Sequence, residues 1–455
     1  MGATRELANF AAALELESVP AGAVYKAKLC LLDYVANIYG SLELEATKAV
    51  AEYIRSLGEK EISTALGCGF KTGIQSAAFI NGTTAEAIEA QDGYRFGGNH
   101  PGAAVIPAAL AVAEAGEAGG GRLIEAIIAG YEVANRVAAA VHPGHTVSGF
   151  LPTGTCGTFG AAAAVSKIYG YSPEETLNAV GNAGYLLPLS MAEQLMGGYT
   201  VKIVQGGQAA SAGIMAAGLA GKGITGCPEI IEGSSLSGGF IQITNTMGSD
   251  PKKLTDGLGS RYAIDDVYFK PFTSCRHTHG AAQAALELVR EHEIKAAEIE
   301  SVSVYTYTMA AIATGKSVPR EGSFVSAQFS IPYVVAAALC DGELGPEQLT
   351  EGRMKKRDIL ALAERINIVP DDELSARYPQ VTASRIEVEL KNGKQLKQLV
   401  EIPKGDPRDP MTEEDVTAKV KRFAGSRDQK RIDKVIGLIM DVENSKNIRE
   451  LVSTI

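Results

Sequence analysis

The sequence predicts a mainly α-helical protein with a smaller α+β portion, and three observations predict it. Residues 4 to about 265 carry apolar side chains at helical spacing and are unusually rich in Ala and Gly. After about Asp265 the texture shifts to β-branched alternation, as in Ser301-Val302-Ser303-Val304-Tyr305-Thr306. From Thr412 the helical spacing returns, with Val416, Val420 and Phe423 on one face. The expected organisation is a large helical domain built from both chain ends, residues 1–266 and 404–455, and a small α+β domain over residues 267–403.

Taken in order, Leu7, Phe10, Ala11 and Leu14 define the apolar face of a first helix. A second is expected from about Ala23 to Tyr39, with Ala27, Cys30, Leu31, Val35 and Ile38 facing inward. The Ala/Gly-rich stretches 123–140 and 209–220 let helix backbones approach closely. Ser172-Pro173-Glu174-Glu175 is a helix start, with Ser at the N-cap, Pro at N1 and Glu completing a capping box. In the small domain, helices are expected near 278–292, 325–340 and 354–365. Residues 385–390, Asn392-Gly393 and 395–402 read as a hairpin closed by a type I′ turn. Lys404-Gly405-Asp406-Pro407-Arg408-Asp409-Pro410 marks the crossing back.

With 455 residues, 45% hydrophobic and 21% charged, the chain has material for a large core. A formal net charge of -10 gives no general basic field for nucleic acid. The six cysteines are scattered, with no C-x-x-C spacing, which suits a reducing cytoplasm and excludes zinc-ribbon or iron–sulfur motifs. No secretory leader and no long apolar run is seen, so a soluble, cytoplasmic protein without membrane contact is expected. Gly154-x-x-Gly157-x-x-Gly160 lacks the dinucleotide spacing and is read as small residues for helix packing. Gly315-Lys316-Ser317 lacks the first glycine of a phosphate loop. No cofactor is therefore expected.

Three stretches are dense in chemistry. Gln91 to Gly116 opens with Asp92, Tyr94 and Arg95, continues through Gly97-Gly98-Asn99 to His100-Pro101-Gly102, and ends in a run apolar enough for a buried helix. Lys270 to Gly280 packs Lys270, Arg276, His277 and His279 before a helix, an arrangement that attracts a carboxylate. Lys202 stands among apolar neighbours just before a small-residue helix, so on burial it must find an anion or lose its charge. The pairs His142/His145 and His277/His279 offer imidazoles to a metal, but neither forms an H-E-x-x-H pattern and no metal is expected.

Together these stretches resemble the MmgE/PrpD family, which includes 2-methylcitrate dehydratases, cis-aconitate decarboxylases and iminodisuccinate epimerases. The resemblance rests on Asp92 with His100-Pro101-Gly102-Ala103, on Gly157 to Ala164 with Lys202, and on Lys270-Pro271-Phe272 through His279. Ala327 to Tyr333 with Asp341-Gly342 adds a fourth match. It implies that the small domain is a lid, that the chain forms a homodimer, and that cofactor-independent chemistry on a small polycarboxylate occurs between the domains. Asp92, His100, Lys202, Lys270 and His279 match the family's active-site positions; Tyr94, Arg95, Arg276 and His277 are expected to bind substrate. One departure is Gly149-Phe150-Leu151-Pro152-Thr153, where Leu151 stands in place of a histidine common in dehydratase and decarboxylase members.

Proton removal beside a carboxylate needs a base and cations for the charge that develops. Dehydration, as in a 2-methylcitrate dehydratase, is the first expectation; epimerisation of a dicarboxylate and cis-aconitate-type decarboxylation are the alternatives. A non-catalytic metabolite-binding protein would need the cations but not both histidines, and a metal-dependent hydrolase would lose activity on chelation.

Overall fold

In the computed structural model, which describes residues 2–316 and 322–455, the apolar periodicity becomes helices packed on one another through small residues. Ser317 of the rejected phosphate-loop motif lies outside the described residues. The first half contains α1 (Ala3–Ala13), α2 (Ala21–Ser41), α3 (Ile74–Ala87), α4 (Pro101–Ala115), α5 (Gly120–Val141), α6 (Pro152–Tyr169), α7 (Pro173–Leu186) and α8 (Gln205–Ala220). The capping box at Ser172 and Glu175 forms as the sequence predicts. Helices α5 and α6 cross so closely that a Cβ on Gly160 would sit 2.5 Å from the Gly130 carbonyl oxygen. Likewise a Cβ on Gly207 of α8 would meet the Phe79 carbonyl oxygen of α3 at 2.1 Å. The glycine run read as a packing face is used that way.

The first half is not wholly helical. A hairpin pairs β1 (Ser63–Ala65) with β2 (Phe70–Thr72), and β3 (Gly93–Tyr94) pairs antiparallel with β4 (Val267–Tyr268). Strands of two or three residues are too short to show alternation, which hid them from the sequence. Gly93 is needed there because a Cβ would strike the Tyr268 ring.

The later part contributes α9 (His279–His292), α10 (Ile331–Asp341) and a four-stranded sheet: β5 (Ile299–Thr306), β6 (Ile366–Pro370), β7 (Ser384–Leu390) and β8 (Gln395–Val400). The spatial order is β6-β5-β7-β8, with β5 and β6 parallel and the other pairs antiparallel. Helix α9 packs on β8 and on α10. The strand β6 was not expected, since Ile366–Pro370 is short and ends in proline. The helix expected over 325–340 is broken: one turn ends at Gln328, and Ser330 caps α10, with Pro332 in its first turn. The hairpin between β7 and β8 forms, but not through a type I′ turn. Only Gly393 is left-handed (φ 85), and Leu390 accepts from its amide at 2.8 Å, within a four-residue connection.

Near the C-terminal end, α11 (Glu413–Ala424) packs on α2, bringing residues from the two chain ends together. Among the described residues, no helix is long and apolar enough to cross a membrane.

Candidate active site

The ionisable groups gather where α3 ends. Its last residue is Ala87, and Glu89 follows in a left-handed conformation (φ 55), which costs a non-glycine residue about 1 kcal/mol or more. Side chains from far along the chain hold the turn: Gln328 Nε2 donates to the Ala87 carbonyl at 2.8 Å, and Lys270 Nζ lies 3.3 Å from that of Glu89. The turn sends the Glu89 carboxylate into the interior between two ammonium groups. Lys202 Nζ lies 2.5 Å from Oε2 and Lys270 Nζ 2.7 Å from Oε1. All three side chains are buried. The Lys202 and Lys270 charges hold the Glu89 carboxyl far below the usual carboxylate range despite its burial.

Lys202 sits on the short turn that leads into α8, which sets its side chain beside α3. It also meets Glu86 Oε1 at 3.1 Å. Glu86 accepts from Gln205 Nε2 and, at 2.9 Å, from the Gly206 amide at the start of α8. Burial raises Lys202's cost of charging, but Glu89 and Glu86 outweigh it and its pKa rises. Burial pushes Glu86 up.

His100 immediately precedes α4. Its amide donates to Thr153 Oγ1 at 3.0 Å, and its Nδ1 lies 2.6 Å from the Asp92 carbonyl oxygen. A carbonyl can only accept, so Nδ1 carries the hydrogen and Nε2 holds a free lone pair. Nε2 faces Glu89 at 4.0 Å, and the His100 side chain is 17% exposed against 2% for Glu89. His100 is thus the most open group of the cluster. Burial and the nearby Lys270 lower its pKa to about 3, so the ring is neutral at ordinary pH.

Asp92 is placed differently from His100. Its carboxylate accepts from Tyr131 OH at 2.6 Å and from the Gly102 amide at 3.1 Å. It ties down the first turn of α4 and, through its own carbonyl, fixes the His100 tautomer. Burial raises its pKa to about 7.

Most of the remaining predicted residues lie around this centre with polar atoms bound to other parts of the chain. Arg276 donates to the Lys404 and Pro403 carbonyls at 2.8 and 2.7 Å and stacks over Tyr268. His279 is fully buried, with Nε2 3.1 Å from the Ser274 carbonyl and Nδ1 3.5 Å from Arg276, so neither ring nitrogen is free. His277 Nδ1 meets Tyr307 OH at 2.5 Å, and Tyr307 stacks on Tyr378. Arg95 is paired with Asp406 at 2.8 Å. Tyr94 lies buried in β3 with its ring edge-on to Phe96. The structure therefore brings His100, Lys202 and Lys270 together, sets Asp92 behind them, and leaves Tyr94, Arg95 and His277 outside the cluster.

His145 is a core residue, bonded to Thr155 Oγ1 at 2.8 Å and stacked on Phe150. Among the described residues, neither histidine pair joins a third metal-ligating side chain; Glu15, Glu17 and Glu125 form the one such group. A large cleft of about 1370 Å³ between Tyr39, Phe324, Glu347 and Arg427 includes none of the clustered ionisable residues. The charged cluster, not this cleft, is the candidate site.

Sequence reasoning missed Glu89 and Glu86. The signal was the demand that a buried Lys202 find an anion, combined with two acids placed among alanines in Ala85-Glu86-Ala87-Ile88-Glu89-Ala90.

Comparison with known proteins finds relatives over nearly the whole chain. The cis-aconitate decarboxylase-like protein oryM of Aspergillus oryzae is 28% identical over 99% of this chain and 97% of its own. The cis-aconitate decarboxylase of Aspergillus terreus is 25% identical over 99% and 95%. The 2-methylcitrate dehydratase of Escherichia coli K12 is 27% identical over 54% of this chain and 52% of its own. Residues 5–250 match the MmgE/PrpD N-terminal domain and residues 272–442 the C-terminal domain. With both domains matched in order, the chain belongs to the MmgE/PrpD family.

Proposed function

We propose that the chain is a cofactor-independent lyase acting on a small di- or tricarboxylate. The observation that carries this reading is the neutral His100, its Nε2 lone pair free and directed at a carboxylate held by Lys202 and Lys270. A substrate carboxylate entering beside Glu89 would share the two ammonium groups. His100 Nε2 would remove the proton from the adjacent carbon, and the lysines would stabilise the charge that develops on the carboxylate. The imidazole needs no rearrangement, because the Asp92 carbonyl already fixes its tautomer.

Proton removal followed by loss of a β-hydroxyl is dehydration, as in a 2-methylcitrate dehydratase-like reaction. Lys202 and Lys270 are the ammonium groups in the cluster able to protonate the departing oxygen. Decarboxylation is the second reading, favoured because relatives named cis-aconitate decarboxylase match over nearly the whole chain. It needs a proton donor to the new carbanion; neutral His100 has no hydrogen on Nε2 to give, so Lys202 or Lys270 would supply it. Proton NMR of the purified protein with 2-methylcitrate, citrate and cis-aconitate in deuterated water separates the two. A new alkene signal from a hydroxy acid is expected; CO₂ released from cis-aconitate alone would establish the second reading. If no acid reacts, or if activity falls on chelation and one metal restores it, the proposal fails.

We also propose a homodimer. Tyr185 and Leu236 are 90% and 89% exposed, with Leu189, Met191, Tyr199, Ile243 and Met247 also in solvent. The two strips adjoin: Leu151 donates to the Ser190 carbonyl, and Ser148 Oγ meets Thr246 Oγ1 at 2.8 Å. Exposed apolar surface on this scale favours a partner.

A further inference from the structure

The left-handed turn at Glu89 is held from below by a residue 330 positions further on. Lys419 of α11 is fully buried, and its Nζ lies 2.5 Å from the Ala90 carbonyl oxygen and 2.7 Å from Asp33 Oδ1 on α2. Asn37 Nδ2 braces Asp33 Oδ2 at 3.1 Å. Carbonyls at the end of a helix have no partner within it, and here those of Ala87, Glu89 and Ala90 are met by side chains from distant segments. Gln328 takes Ala87, Lys270 takes Glu89, Lys419 takes Ala90, and His100 takes Asp92. Of these, Lys419 touches none of the clustered carboxylates or the His100 ring. Its ammonium is spent on the main chain and on Asp33.

We infer that Lys419 is a positioning residue for the active site: by binding the Ala90 carbonyl it holds the strained turn that aims Glu89 between Lys202 and Lys270. The inference rests on the lyase reading for its kinetic consequence, but not for its structural one. A carboxylate aimed by a turn is displaced when the turn relaxes, and misplacement of about 1 Å costs on the order of 10²-fold in rate.

The test compares Lys419→Met, Lys419→Arg and the double variant Asp33→Asn/Lys419→Met. Lys419→Met leaves Asp33 buried without its cation, so lost activity alone could reflect poor folding. The double variant removes both charges and restores stability, yet the Ala90 carbonyl still lacks its donor. The expected result is a double variant that melts near the wild-type temperature, with kcat lowered by about 10²-fold and KM little changed. Lys419→Arg, which keeps a donor, should recover part of the rate. The carboxyl ¹³C titration of Glu89 gives a readout independent of turnover: its midpoint should rise in the double variant, because its carboxylate is no longer centred between the lysines. Wild-type kcat in the double variant, or an unchanged Glu89 titration, would overturn the inference. If wild-type protein turns over no acid but the Glu89 midpoint still rises, the lyase reading has failed and the positioning role stands.

Discussion

The Nδ1 atom of His100 lies 2.6 Å from the carbonyl oxygen of Asp92, and this contact decides which nitrogen of the ring carries the hydrogen. Two residues adjacent to one Gly/Pro loop thereby divide the work. Asp92 is turned away from the lysines, toward Tyr131 and the first turn of α4, while His100 faces them. Asp92 fixes the His100 tautomer through its main chain, and in the proposed mechanism His100 is the base.

His100 should remain neutral far into the acid range. Its pKa is lowered from 6.5 to about 3, so the folded protein binds fewer protons than the unfolded chain between those values. Its contribution to stability is present above pH 6.5 and lost as pH falls toward 3. Imidazole NMR should show no titration of this ring near neutrality. His100→Gln should lower kcat by about 10²–10⁴-fold with KM little changed. A ring that titrates near 6.5 would contradict the lowered pKa, and a variant with full turnover would remove His100 as the base.

Asp92 predicts the opposite slope. Burial raises its pKa from 3.8 to about 7, so the folded state holds a proton that the unfolded chain has released. Stability from this group is complete below 3.8 and declines as pH rises toward 7, at most by about 1.4 kcal/mol per pH unit. Asp92→Asn should lack that decline in urea titrations across the range. A variant whose stability runs parallel to wild type at every pH would contradict the assignment.

The proposed homodimer makes a prediction free of catalysis. Sedimentation equilibrium of the wild type should give twice the chain mass. Tyr185→Glu combined with Leu236→Glu should shift it to monomer, because charges on a buried apolar contact are costly. A wild type that sediments as a monomer at micromolar concentration would refute the pairing.

The sequence exposed the helices, the later sheet and most of the site through features that act locally. Ser172 and Glu175 cap a helix whatever surrounds them, and Lys202 before a small-residue helix is conspicuous because its charge needs an answer. What stayed hidden depends on contacts between distant residues. Strand β3 exists only because Gly93 lets the Tyr268 ring approach, and those two residues are brought together by the whole fold. Nothing local to Glu89 sets it apart from an ordinary helical acid. Its left-handed turn follows from side chains supplied by Lys270, Gln328 and Lys419, none of which is near it in sequence. Arg95 and Arg276 are expected to bind substrate, and their pairing with the crossing segment at 403–406 was not legible in the sequence.

The last prediction concerns the asymmetry around Glu89. Lys202 has a second carboxylate in Glu86, at 3.1 Å, whereas Glu89 provides the one carboxylate paired with Lys270 among the described residues. Glu89→Gln should therefore strand the fully buried Lys270 and destabilise the fold by about 3–5 kcal/mol, the range for breaking one side of a buried ion pair. Lys202→Met in the same background should restore little, since its charge is still answered by Glu86. Lys270→Met should restore most of the loss by removing the stranded charge. The pH dependence gives a second check. Glu89 is held far below its ordinary value of 4.5, so its contribution is present above that pH and lost as pH falls below it. Urea unfolding of the single and double variants, each run at neutral pH and again near pH 4, measures both effects. If Lys202→Met rescues Glu89→Gln as well as Lys270→Met does, the two lysines are equivalent and Glu86 does not share the charge as the geometry indicates.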